Sequence, residues 1–339
     1  MEIIKVNEII NRKNNLISMS IFKMEKSYRD FNKYKENLLN LLNFLTPIKG
    51  NFDVRVYFDE SCVDDLSIDK LLLITKQYPN FEFYKFNYNK MKYENYHFGV
   101  LGMMSRFLPM FENEYEYVYI TDIDVIPQKL KIEYFNTDFD TIILTRLFYN
   151  KPWTEKIKYP IIASTLITKN KIPIKIFNKF LEDVITNKYQ KIINIVNEFN
   201  NKDQKRKKNI SLFPYGMDEY FLNNIVYDYI IKGHVDIIVD TDLIYLIKKM
   251  YHQYNNISEI DKKRMYYIIK ANRIIYYNTK QEIHQELLKS YIELINILGK
   301  DTIIKYLKDN NKTNIESINL FFDNIKNKNI KTLDVHKII

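Results

Sequence analysis

YVYITDIDVIP, residues 117–127, is the stretch from which the fold is best argued. Residues 117–120 are β-branched and aromatic, which is the composition of a strand buried in a sheet. The run ends at Asp122-Ile123-Asp124, and Pro127 then prevents a continuing ladder of hydrogen bonds. Because side chains alternate along a strand, both aspartates are predicted to point the same way. Neighbouring carboxylates repel each other unless a cation such as Mn²⁺ or Mg²⁺ binds them, so the pattern predicts a metal–diphosphate site at a strand end.

Two other Asp-x-Asp triplets compete with this one. Asp240-Thr241-Asp242 follows a strand-like run at 235–239 and is the stronger competitor, whereas Asp138-Phe139-Asp140 precedes its strand and is interpreted as a turn. Most such triplets are solvated turn residues. The triplet at 122–124 is preferred because a hydrophobic strand precedes it, and a helix-like segment precedes that strand.

The chain alternates between strand patterns and helix patterns with short connections. Strands are predicted at 16–22, 53–59, 81–86, 117–120, 141–146, 160–168 and 234–240, and helices at 30–45, 65–78, 97–111, 175–200 and 218–231. This alternation predicts βαβ units, hence an α/β fold with a mostly parallel sheet flanked by helices. From about residue 256 the patterns are helical with no clear strand. The predicted organisation is therefore a domain at 1–255 and a C-terminal helical appendage at 256–339.

Composition limits the classes of function. Lys and Arg number 51 against 42 Asp and Glu, a net charge of +9, and the excess is diffuse, so it favours acidic partners only weakly. The dense run at 202–208 is either a solvated loop or a lid over an anionic ligand. The single cysteine, Cys62, excludes an internal disulfide framework. No apolar stretch is long enough to span a bilayer, and no signal-peptide pattern opens the chain, so a cytoplasmic location is expected.

Charged side chains near the strand ends are further candidates. Arg106 is the only charged residue of an apolar segment, so either a structural salt bridge or a ligand phosphate is expected to neutralise it. Arg146 ends the strand at 141–146 and is a second candidate for ligand binding. Asp218 and Glu219 fall in the first turn of a helix, where the simpler interpretation is capping. The functional alternative is a base at the rim of a pocket.

Several segments occur in a recognisable order over residues 16–231: ISMSIFK, DVRVYFDES, MMSRFLP, YVYITDIDVIP, ILTRLF, PIIASTLIT and YGMDEYFLNNIVYD. Together they resemble glycosyltransferases of the GT-A fold, in particular a group of transferases found in viruses and microbes. The resemblance implies a Rossmann-like sheet of the GT-A type and a nucleotide-diphosphate sugar as donor. It also implies a glycan or protein hydroxyl as acceptor, and a divalent cation, usually manganese, at the Asp-x-Asp motif.

The same resemblance assigns the metal ligands. Asp122 is implied to face the ribose or the metal, and Asp124 to bind the metal. Such folds often supply a late histidine as a further ligand; His252 is the best placed here, ahead of His234.

The resemblance also assigns residues around the donor and acceptor. Asp59 is implied to lie near the nucleotide base, and Arg106 to contact the diphosphate or the aspartates. Asp218 matches a carboxylate that, in inverting members, deprotonates the acceptor hydroxyl, and Glu219 is the alternative base.

Two other functions compatible with these residues remain open. A nucleotidyltransferase on a similar sheet would also use paired aspartates and a nucleotide. A basic, non-catalytic nucleic-acid-binding protein would use the excess positive charge, but the lysines and aromatic residues are not organised into a recognisable binding module, so no nucleic-acid partner is predicted.

Overall fold

The computed structural model of the chain describes residues 2–24, 30–48, 50–62, 79–88, 92–93, 96–97, 101–125, 132–136, 139–146, 151–154, 160–169, 171–201, 213–233, 235–240 and 274–277, with the single residues 73, 76, 127, 130, 157, 258, 260, 299 and 301. The chain divides into two compact units. The first comprises Met1–Thr141 and Ile162–Val235, and the second comprises Ile142–Ile161 and Asp236–Ile339. The predicted division at residue 255 stays a prediction.

The regular elements follow one another in an α/β order. The strands are β1 (Glu2–Lys5), β2 (Asn15–Ile21), β3 (Phe52–Asp59), β4 (Phe81–Asn87), β5 (Lys92–Tyr93), β6 (Tyr96–His97), β7 (Tyr117–Thr121), β8 (Thr141–Arg146), β9 (Thr165–Thr168), β10 (Val235–Asp240) and β11 (Ile274–Tyr277). The α-helices are α1 (Phe31–Leu45), α2 (Ile174–Ile185), α3 (Gln190–Asn201), α4 (Met217–Tyr220) and α5 (Tyr227–Ile230). A 3₁₀ helix spans Leu101–Phe111, and a π-helix spans Phe221–Ile225.

The first unit is built on a mixed sheet. Among its described residues the strands lie in the order β1-β4-β3-β2-β7-β9. The four inner strands are parallel, whereas β1 pairs with β4 and β9 pairs with β7 in antiparallel fashion. The prediction of an α/β fold is confirmed. The predicted parallel arrangement is confirmed for the four inner strands. The two outer strands of this order, β1 and β9, are antiparallel to their neighbours.

The inner strands are buried on both faces. Every residue of β3 and of β7 is buried, as is typical of parallel strands covered by other elements. The 3₁₀ helix packs against the sheet, and the Ser18 hydroxyl of β2 donates a hydrogen bond to the Arg106 carbonyl at 2.8 Å. Helix α1 buries the leucine stripe at 38, 41, 42 and 45 that its periodicity predicts.

Three predicted helices have a different form. The segment predicted as a helix at 97–111 is a 3₁₀ helix over Leu101–Phe111, with Pro109 inside it; a proline cannot donate the hydrogen bond that an α-helix interior needs. The helix predicted at 175–200 is two helices, because Asn187 turns the chain with φ of 61°. The helix predicted at 218–231 is divided into α4, the π-helix and α5.

The remaining differences concern the later part of the chain. The strand predicted at 160–168 is confined to Thr165–Thr168. The expectation of no strand after residue 256 is wrong, because β11 (Ile274–Tyr277) pairs antiparallel with β10. A helical appendage stays a prediction, since most residues after 240 lie outside the described part, as does most of the predicted helix at 65–78. Within the described residues, no helix is long and apolar enough to cross a membrane.

Gly233 occupies a position that only glycine tolerates well. Its φ is +104°, and a Cβ added there would collide with the carboxylate of Asp140, which is paired with Lys169 at 2.9 Å. Gly233→Ala is therefore expected to lower the free energy of unfolding by about 1–3 kcal/mol. Urea unfolding monitored by far-UV circular dichroism measures the change. Unaltered stability in the alanine variant would show that this turn relaxes without cost.

Candidate functional site

The carboxyl ends of β2, β3, β4 and β7 meet at one edge of the sheet, because these strands run parallel. Asp59 is the last residue of β3, and Asp122 directly follows β7. Strand β2 separates β3 from β7, so the two strand ends lie about 10 Å apart at the usual spacing of neighbouring strands. This edge is where open α/β sheets usually bind ligands.

Arg106 links two of the predicted acidic residues at this edge. Its Nη1 donates to Oδ1 of Asp122, and its Nη2 donates to Oδ2 of Asp218 at 3.1 Å. The Arg106 side chain is only 2% exposed. Three predicted site residues, one of them 112 residues from Arg106, thus form one cluster, hereafter the Asp122–Arg106–Asp218 triad. Of the two predictions for Arg106, the salt bridge is confirmed, because the guanidinium pairs with two carboxylates. Its contact with a ligand phosphate stays a prediction.

The electrostatics of the triad are those of a buried ion cluster. Burial alone would lower the pKa of Arg106, but the charges of Asp122 and Asp218 hold that pKa above its ordinary value. Burial raises the pKa of the Asp218 carboxyl; the Arg106 charge opposes the rise, and the Asp122 charge adds to it. Arg106 Nε is buried without a hydrogen-bond partner among the described residues. The guanidinium is therefore held by its two terminal nitrogens.

The segment that presents Asp218 is fixed by its backbone and by aromatic packing. Gly216, with φ of 109°, starts the turn into α4, and Asn200 Nδ2 donates to the Tyr215 carbonyl at 2.8 Å. Three residues after Asp218, the Phe221 ring contacts Phe107, the neighbour of Arg106, at 6.1 Å between centroids. The rings of Phe111, Phe177 and Phe180 also contact Phe221. Apolar packing thus brings the two charged side chains together.

The Asp-x-Asp motif lies on a turn and not on the strand. Strand β7 ends at Thr121, and Ile123 and Asp124 form a turn. The prediction that the two aspartates are aligned by alternation along a strand is therefore wrong, because both residues lie beyond the end of β7. Burial nevertheless alternates: Ile123 is buried, whereas Asp124 is exposed and the Asp122 side chain is 33% exposed. Both carboxylates can reach solvent at the carboxyl edge.

The donor set at this turn suits a hard cation. Asp122 uses Oδ1 for Arg106 and remains one-third exposed, and Asp124 is an exposed residue. Carboxylate oxygens of this kind bind Mn²⁺ or Mg²⁺ together with water and phosphate oxygens. The described residues contain no group of three or more acidic, histidine or cysteine side chains placed to hold a metal. A bound cation would complete its shell from solvent, from a ligand or from residues outside that part of the chain.

Asp59 is buried at the end of β3. Its Oδ1 accepts a hydrogen bond from the Ser61 backbone N–H at 3.2 Å and another from the Ser61 hydroxyl, and the Cys62 thiol lies 3.8 Å away. Burial raises the pKa of Cys62 to about 12. Asp59 therefore shapes the loop that follows β3, and contact with a nucleotide base stays a prediction.

The remaining candidates are placed only in part. Arg146 ends β8, and Glu219 is the half-buried residue after Asp218. The Arg146 side chain, His234, His252 and the basic run 202–208 lie outside the described residues, so their predicted roles stay predictions. Of the competing triplets, Asp140 is paired with Lys169, in keeping with a turn, and only the backbone of Asp240 is described.

Sequence reasoning missed a second buried ion cluster. Arg55 of β3 is fully buried, and its Nε donates to Glu82 of β4 at 2.5 Å. Its other two nitrogens donate to Glu112 at 2.6 Å and to Glu114 at 2.8 Å, just beyond the 3₁₀ helix. The guanidinium also lies over the Tyr84 ring at 4.4 Å. The signal in the sequence is an arginine among the apolar and aromatic residues between Asp53 and Asp59, much as Arg106 is a charge among apolar neighbours.

A scan against protein-family models and a search of curated proteins both find no match to this chain. Side-chain geometry, together with the order of segments along the chain, therefore carries the functional inference.

Proposed function

We propose that this chain is a metal-dependent glycosyltransferase of the GT-A type, which moves a sugar from a nucleotide-diphosphate donor to an acceptor hydroxyl. The observation that carries the proposal is the Asp122–Arg106–Asp218 triad at the carboxyl edge of parallel strands. Arg106 places a permanent positive charge directly behind Asp122, whose side chain is one-third exposed at this edge. Two residues further along the chain, Asp124 is an exposed residue.

In the proposed reaction, the bond between the anomeric carbon and the diphosphate oxygen breaks, and that oxygen keeps the electron pair. The acceptor oxygen bonds to the anomeric carbon, and its proton passes to a base, for which Asp218 and Glu219 are the candidates. From its buried position the fixed charge of Arg106 would stabilise, without direct contact, the negative charge that grows on the departing diphosphate. Asp122 and Asp124 would hold the divalent cation. When bound, that cation supplies a Lewis acid for the diphosphate.

The test is nucleotide-sugar hydrolysis in the presence of Mn²⁺. Purified protein is incubated with a panel of nucleotide sugars, and free sugar and nucleoside diphosphate are measured by chromatography. Asp124→Asn is expected to reduce turnover by a factor on the order of 10² or more, because it removes an anionic ligand of the cation. Asp228→Asn, which neutralises an exposed aspartate in the first turn of α5, is the matched control and is expected to leave turnover unchanged.

The other outcomes are equally specific. Release of pyrophosphate from nucleoside triphosphates would favour a nucleotidyltransferase. Steeply salt-dependent binding to nucleic acid that survives Asp124→Asn, without hydrolysis, would favour the binding protein. Absence of hydrolysis with every donor in the panel would contradict the proposed function.

A further inference from the structure

We propose that Asp218 is a positioning residue that holds Arg106 in its working orientation, and that it is not the base that deprotonates the acceptor. The inference takes its substrate, a nucleotide-diphosphate sugar, from the proposed function. The contacts on which it is argued are those of the Asp122–Arg106–Asp218 triad. It replaces the base role that the resemblance implies for Asp218.

A base must come within about 2.6–3.2 Å of the proton that it removes. The Asp218 side chain is only 4% exposed, and its Oδ2 faces Arg106 Nη2 at 3.1 Å. Arg106 Nη2 is the partner that holds this oxygen among the described residues. A carboxylate this deeply buried and turned towards a guanidinium has little room for an acceptor hydroxyl.

Arg106, by contrast, needs the contacts that Asp218 supplies. A guanidinium that is 98% removed from solvent has to be paired, and each terminal nitrogen here has its own carboxylate. The two contacts fix both the plane and the rotation of the group. If Asp218 were lost, the guanidinium could turn about its long side chain, and Asp122 would lose a partner of defined position.

Packing on both sides of Asp218 sets its distance from Arg106. Phe221 follows Asp218 by three residues and stacks near Phe107, which adjoins Arg106. Gly216 and Asn200 fix the turn on the other side of Asp218. Such support on both sides is expected of a group that orients another residue, because the precision of a site depends on the packing around it.

The test compares Asp218→Asn with Asp218→Ala. Asparagine keeps an oxygen that can accept from Arg106 Nη2 but cannot act as a base. If Asp218 positions Arg106, the asparagine variant retains turnover within about tenfold and keeps the acid limb of the pH–rate profile. The alanine variant is then expected to bind a nucleoside diphosphate with Mn²⁺ at least about tenfold more weakly and to show a higher KM for the donor. Isothermal titration calorimetry measures the binding.

The opposite result identifies a base. Asp218→Asn would then be as inactive as Asp218→Ala, with kcat lower by about 10²–10⁴, and with KM and diphosphate affinity unchanged. Circular dichroism establishes that the near-isosteric asparagine variant is folded. If the wild type hydrolyses no nucleotide sugar, the proposed function fails, and the diphosphate affinities of the wild type and the two variants still decide the positioning role. A wild type that binds no nucleoside diphosphate overturns both proposals.

Discussion

Arg106→Met is expected to lower the free energy of unfolding by about 3–5 kcal/mol and to abolish nucleotide-sugar turnover. The substitution leaves Asp218, which is 4% exposed, and Asp122 without their shared cation. Removing one partner of a buried ion pair leaves an uncompensated buried charge, which costs far more than the pair itself contributes. Urea denaturation at neutral pH measures the stability, and the hydrolysis assay measures turnover.

The pH dependence of this deficit has a defined sign. The pKa of Asp218 is already raised by burial, and Arg106 is the charge that opposes the rise. Between the ordinary pKa of aspartate, near 4, and the raised value, the native state binds more protons than the unfolded state, so stability falls as pH rises. The Arg106→Met variant is therefore expected to approach wild-type stability as the pH is lowered towards 4.

Two further variants control this prediction. Arg106→Met combined with Asp218→Asn removes both charges of one pair and is expected to be more stable than Arg106→Met alone. Arg106→Lys keeps the charge but loses the planar fork, so it cannot contact both carboxylates in the same way. If the double variant is no more stable than the single one, the cost at Arg106 comes from lost packing and not from unpaired charge.

Arg55→Met is expected to lower the free energy of unfolding by about 3–5 kcal/mol as well. Arg55 is fully buried and donates to three glutamates, of which Glu82 is also fully buried. The substitution removes the cation closest to the buried Glu82 carboxylate, and an unpaired buried charge destabilises the folded state. Thermal and urea unfolding of the variant measure the loss.

Arg12→Met is the matched control for this second cluster. Arg12 contacts the same Glu114 at 2.7 Å and approaches the buried Glu82 at 3.9 Å, but the Arg12 side chain is 29% exposed, and Glu114 is 41% exposed. Ion pairs with this much solvent access typically contribute less than about 1 kcal/mol. Equal losses in the Arg55 and Arg12 variants would show that burial does not govern the cost in this cluster.

The inner sheet could be predicted from the sequence because its strands carry unambiguous patterns. Residues 117–120 are apolar and β-branched or aromatic, residues 53–59 alternate in the manner of a strand, and both are predicted to within one residue of β7 and β3. Strand β1 was missed because four alternating residues at an edge carry little signal. The 3₁₀ form of Leu101–Phe111 was missed because an apolar run fits any helix type, although Pro109 argued against a regular α-helix.

The candidate site was predictable as a set of residues but not as an arrangement. Arg106 was singled out as a lone charge among apolar neighbours, and Asp122 and Asp218 by their places at element ends. Nothing local in the sequence specifies that Arg106 joins Asp218, because the contact spans 112 residues and depends on the packing of Phe107 and Phe221. The turn at Ile123 and Asp124 likewise follows from where β7 ends, a boundary that composition fixes only loosely.

The long span between Arg106 and Asp218 also bears on how the protein matures on the ribosome. Arg106 and Asp122 are synthesised only 16 residues apart, whereas Asp218 follows Arg106 after 112 residues, on the order of ten seconds at ordinary elongation rates. During that interval the nascent chain contains Arg106 and Asp122 but not yet Asp218, the second carboxylate that pairs with Arg106. The binding edge becomes complete only when the later segment docks, so an incomplete translation product would lack a competent site.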